Sequence, residues 1–237
     1  MPNQCYCAPL GDCSGKISRE HYISHVLLRL LAMGDTVRVE GVSAINGGEP
    51  THLSPNALAS KILCQHHNAM LSGLDATAFR FFSLLRYETP LLTADIDCAK
   101  LELWYLKLLI GLLAVARPEI SVPVEWLELL VGRRAFPPDV GLSFQFTGKP
   151  LKEFYGGISI ELSFSDPEIT TPCGVWSSVS ATSAYLMLDP EVGPGGRGLS
   201  LRPAYVSVAY PDKVKIAWLG WEKPGPGVQY LHPGPVF

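Results

Sequence analysis

Residues 5–21, CYCAPLGDCSGKISREH, and residues 60–71, SKILCQHHNAML, hold four of the six cysteines and three of the six histidines in the chain. Clustering of soft ligands on both sides of a long loop points to metal ligation rather than to scattered buried thiols. Zinc takes four thiolate or imidazole ligands in a tetrahedron, commonly as two close pairs across a longer loop. Cys7 with Cys13 supplies the first pair, and Cys64 with His67, spaced C-x-x-H, supplies the second. Cys5 is the alternate to Cys7, and His66 the alternate to His67. Such a site closes a long loop and staples two segments with little core of their own. Cys98 and Cys173 stand alone in apolar surroundings, so the cysteines do not read as a disulfide scaffold, and a reducing compartment is expected.

Beside the thiols lies a second set of polar groups. Glu20-His21 puts a carboxylate and an imidazole on consecutive residues, and Asn68 follows His67 directly. A neutral histidine takes a proton from water at physiological pH. A carboxylate with an amide oxygen, Glu20 with Asn68, holds a hard divalent ion of the Mg2+ type that stabilises charge on phosphate oxygens. Phosphodiester hydrolysis needs that combination.

The pattern Cys7, Cys13, Glu20-His21 and Leu63-Cys64-Gln65-His66-His67-Asn68 resembles the HNH endonuclease family with its treble-clef, ββα-metal fold. The resemblance covers about residues 5–82. It implies a structural zinc at Cys7, Cys13, Cys64 and His67, His21 as the general base, and Glu20 and Asn68 as ligands of a catalytic divalent ion. It further implies DNA as substrate. This sequence departs from the family in ending the second pair with His67, in carrying Asn68 where a histidine is usual, and in offering Ala59 or Ser60 where an asparagine braces the base. A catalytically degenerate module of the same fold, binding nucleic acid or protein, is the alternative expectation.

The bulk numbers set bounds on these readings. At 237 residues, 47% hydrophobic and 17% charged, the chain is globular with a sizeable core. A net charge of −3 leaves no general basic footprint, so a nucleic-acid partner must be met by a local patch. The N-terminus has no basic segment followed by an apolar run, and the longest uncharged apolar run, 108–116, is too short to span a bilayer. The expectation is a soluble, cytoplasmic protein with no membrane partner.

Apolar spacing predicts helices over 22–33, 68–85 with a break near Gly73, 95–116 and 124–131. Residues 1–20 read as a tight knuckle. Strands are expected over 37–40, 61–63, 142–146, 157–164, 185–188, 205–209 and 215–219, divided by Gly, Pro and Asp turns. The fold class expected is α+β: an HNH-like zinc module over 1–88, a helical segment over 89–135, a β-rich domain over 136–223 and a Pro/Gly-rich tail over 224–237. Asp75 is read as a solvated helix position, with support of the active site as the alternative, His25 and His52 as bystanders, and Arg133-Arg134 as partners of helix C-terminal carbonyls. GPGGRG, 193–198, is a flexible turn, since no Lys-Ser/Thr follows it.

Overall fold

The computed structural model describes residues 4–221 except 87, 146–156, 167, 169, 180–181, 190 and 192–198, so the 193–198 turn and the tail lie outside the described residues. In order, the elements are β1 (Ile17–His21), α1 (His25–Leu31), β2 (Val37–Glu40), β3 (Thr51–Leu53), β4 (Ala59–Cys64), α2 (Gln65–Leu84), β5 (Thr93–Asp97), α3 (Cys98–Ala116), α4 (Val124–Leu130), β6 (Gly141–Gln145), β7 (Ile158–Phe164), β8 (Pro172–Val179), β9 (Thr182–Met187), β10 (Leu199–Leu201), β11 (Tyr205–Ala209) and β12 (Val214–Gly220). The fold is mixed α+β.

Three sheets form. β1 and β4 make an antiparallel pair; a seven-stranded sheet runs β10-β6-β9-β8-β7-β2-β3; a three-stranded sheet runs β11-β12-β5. The first pair leads straight into α2, giving a hairpin-like strand pair followed by a helix. The larger sheets take strands from across the chain: β2 pairs with β7 in parallel, and β5 pairs in parallel with β12. Strands from either side of residues 88 and 136 thus share sheets.

Helix α3 explains that sharing. It is apolar on nearly every side, and Trp104, Tyr105, Leu109 and Leu113 are fully or almost fully buried. A helix apolar all round must be covered all round. Cover comes from α2 and α4 and from strands of all three sheets. Asp97 caps its start by accepting a hydrogen bond from the Lys100 amide at 3.2 Å, which is why residues expected to begin the helix at 95 instead finish β5. Helix α2 runs unbroken through Gly73, because Leu71, Leu74 and Ala78 pack inward on either side of it. One glycine costs about 1 kcal/mol in a helix interior, less than that burial returns.

Two charges on α3 are buried. Glu102 pairs with Arg202 through Nε and Nη2, both contacts 3.1 Å, and its Oε1 also accepts the Leu142 amide at 2.7 Å. Gly141 leaves room for this pair: a Cβ there would lie 2.1 Å from Glu102 Oε1. Breaking a buried pair leaves an uncompensated charge, so Glu102→Ala should cost about 3–5 kcal/mol, read as a lowered urea midpoint, with Glu102→Gln costing less.

Candidate metal centre and the adjoining carboxylate site

The metal ligands are placed by the approach of the N-terminal segment to β4 and by the start of α2. Tyr6 N donates to Ile62 O at 3.0 Å, laying residues 5–7 along β4, and a short 3-10 turn at Ala8–Leu10 closes on Gly11 at φ 78°. The chain then returns so that Lys16 O and Ser14 O accept the first amides of α2, from Gln65 and His66. Those amides have no partner within the helix, and this docking satisfies them. Cys64 is the N-cap of α2, and His67 lies on the helix's first turn.

Ligand atoms of Cys5, Cys13, Cys64 and His67 all lie within 4.8 Å of one another. His67 Nδ1 is 3.2 Å from Cys64 Sγ, 3.6 Å from Cys5 Sγ and 3.7 Å from Cys13 Sγ. A tetrahedral zinc with ordinary Zn–S and Zn–N lengths sets a nitrogen–sulfur edge of about 3.6 Å. The three-cysteine, one-histidine set fits that ion. Cys5 fills the position that spacing assigned to Cys7. The reason is geometric: the chain turns at Tyr6 and Cys7, with Cys7 at φ −82° and ψ 6°, so the two thiols are not equivalent, and Cys7 instead donates its thiol hydrogen to Cys5. That hydrogen bond is the main force holding the Cys5 thiol down, to about 4, and the same bond, with burial, pushes Cys7 up. Burial raises exposed-side Cys13 to about 12. A cation at the centre of the set would reverse that cost, since thiolates are the ligating form.

The second nitrogen of His67 is also engaged. Nε2 approaches Asp12 Oδ1 at 3.0 Å, off the line of a straight hydrogen bond, and Asp12 in turn pairs with Arg133. A carboxylate on the far nitrogen orients a ligating imidazole and selects the tautomer with Nδ1 free. Arg133 thus serves Asp12 rather than a helix carbonyl, and Arg134 pairs with Glu128 at 3.6 Å. His66 is exposed, as expected.

The carboxylate site assembles around a residue that the sequence reading passed over. Glu20, 9% exposed, faces α2 and α3. Its Oε1 lies 2.7 Å from Lys107 Nζ, and the same ammonium lies 2.9 Å from Asp75 Oδ2. Asp75 Oδ1 accepts from Trp104 Nε1 at 3.1 Å, so Asp75 is a network member and not a solvated position. Asn68 Nδ2 donates to Ser18 Oγ at 3.0 Å, and Ser18 donates to Leu63 O at 3.1 Å. Burial raises the Glu20 carboxyl, while the Lys107 charge and a hydrogen bond from Asn68 oppose the rise. Glu20 and Asn68 therefore lie within hydrogen-bonding reach of each other. A divalent ion between Glu20 and its neighbours does not fit these residues as they stand, because the Lys107 ammonium holds that place. Lys107 is the lone charge between Glu102 and Arg117; a buried lysine requires an acid partner, and that was the signal available in the sequence.

His21 is next to Glu20 on β1, and consecutive strand residues point to opposite faces. Its ring packs 4.6 Å from that of His25, tilted by 32°, and its Nε2 is buried with no hydrogen-bond partner among the described residues. Burial first, then the neighbouring His25, lowers its pKa. His25, passed over as a bystander, thus shapes the predicted base.

No family model matches the chain, and no curated protein or solved structure matches it either.

Two measurements follow from these contacts. Metal analysis of purified protein should find zinc, lost in Cys5→Ser, Cys13→Ser and Cys64→Ser and retained in Cys7→Ser; loss in Cys7→Ser with retention in Cys5→Ser would reverse the ligand assignment. For His21, the folded pKa lies below the unfolded value of about 6.5, so the unfolded chain binds more protons as pH falls through that value. Its stabilising effect is complete above about pH 6.5 and fades below it; NMR titration should find His21 neutral at pH values where a free imidazole is charged.

Proposed function

We propose that the chain is an HNH-like module, stapled by zinc at Cys5, Cys13, Cys64 and His67, that binds nucleic acid without divalent-dependent cleavage. The Cys3His cluster at the junction of β4 and α2 carries this reading. A strand pair running directly into a helix, with its metal ligands at that junction, is the arrangement the HNH resemblance implies. Lys16, Arg19 and Lys61 are exposed on or beside the β1–β4 pair, with Arg19 at the irregular step between Ser18 and Glu20. Their charges are what a chain of net charge −3 would use locally to meet phosphates. DNA is the favoured partner. Fluorescence anisotropy with a labelled DNA duplex should show binding that weakens with salt, by about 0.9 log units per log unit of salt for each phosphate engaged. Arg19→Glu with Lys61→Glu should abolish it; unchanged binding by that double variant would remove these charges from the interface.

Hydrolysis is the second reading, favoured by the buried and unpartnered Nε2 of His21. There His21, neutral in its buried setting, would take a proton from the attacking water. Plasmid nicking in Mg2+ or Mn2+ separates the two. No nicking by wild type supports the binding reading, whereas nicking that His21→Ala abolishes establishes the nuclease.

A further inference from the structure

We infer that Lys107 is the resident cation of the carboxylate site, supplying from α3 the positive charge that an HNH-type centre ordinarily takes from a divalent ion. The inference deepens the proposed function and rests on the HNH-like reading of the β1–β4–α2 unit.

The geometry leaves little room for another cation. Lys107 Nζ lies 2.7 Å from Glu20 Oε1 and 2.9 Å from Asp75 Oδ2, and the lysine side chain is 6% exposed. The three side chains come from three different elements, β1, α2 and α3, so the ammonium position is set by the packing of the whole unit rather than by a flexible surface arm. Trp104 Nε1 holds the other oxygen of Asp75, and Asn68 is held by Ser18, so the remaining polar groups of the site already have partners. The ammonium provides three donors, two of which these carboxylates take. A divalent ion among the same oxygens would meet the lysine charge a few ångströms away in a buried setting, where like charges are weakly screened. Lys107 must leave before an ion can enter, and leaving would carry its charge into the apolar packing of α3. The lysine thus does for two carboxylates what a metal ion does, in a form that does not exchange with solvent ions.

Removing Lys107 therefore uncovers a metal site formed by the Glu20 and Asp75 carboxylates. The test follows Mn2+ binding to the full, zinc-loaded chain by EPR and isothermal titration calorimetry. Wild type should show no saturable Mn2+ site that Glu20→Gln removes. Lys107→Ala should bind Mn2+ at least about tenfold more tightly than wild type, lose that gain when Glu20→Gln is added, and show a melting temperature raised by Mn2+ where wild type shows none. A folded Lys107→Ala protein without this gain overturns the inference. So does a saturable, Glu20-dependent Mn2+ site in wild type, and that arm decides the matter if the alanine variant does not fold. Loss of DNA binding in the anisotropy experiment would remove the proposed function while leaving the Mn2+ result standing.

Discussion

Helix α3 cannot face water on any side, and most of the architecture answers that constraint. Its core residues are covered by α2, by α4 and by strands drawn from all three sheets, which is why N-terminal strands β2 and β3 share a sheet with β6–β10. Burial on all sides also makes its two charges decisive. Glu102 and Lys107 each need an opposite charge at a defined place, and each finds it on a distant part of the chain: Arg202 for the first, Glu20 and Asp75 for the second. Apolar contact alone tolerates small slips and rotations. An ion pair in a low-dielectric interior does not, so these two pairs select the rotation of α3 against the sheets and against α2.

The metal centre and the carboxylate site are linked through the same few residues. Cys64 and His67 open α2, Asn68 follows, and Asp75 lies two turns further along that helix. A metal holding Cys64 and His67 to Cys5 and Cys13 therefore also sets the height of Asn68 and Asp75 relative to β1. The thiols are a poor set without a cation: the Cys7 hydrogen bond favours the Cys5 thiolate, while burial works against charge on Cys13. Ligation of a cation would change that balance and would couple folding to metal supply. At the neighbouring site the cation is covalently part of the chain. The two sites thus differ in kind, one a set of thiols and an imidazole able to hold a metal ion and one neutralised by a lysine.

Much of the helical framework was legible locally. The 3.6-residue spacing marked α1, α2, α3 and α4, and alternation marked β2, β7, β11 and β12 to within a few residues. β8, the most central strand beside β9, was missed because PCGVWSSV alternates poorly when both faces are covered, and β5 was absorbed into the helix that follows it. β1 was read as a knuckle, since Gly and Ser precede it and its pairing partner β4 lies some forty residues downstream.

The sequence by itself determined that two Cys/His stretches would come together in a cluster able to hold a metal ion, and that the chain would be α+β. These follow from residue type and short spacing, which are local. Only the tertiary structure decided that Cys5 and not Cys7 joins the ligand set, that Asp12 orients His67, and that Lys107 occupies the space between Glu20 and Asp75. Each of those depends on where side chains distant in sequence come to lie once α3 is buried, and a buried charge reveals its partner only after packing has brought the partner to it.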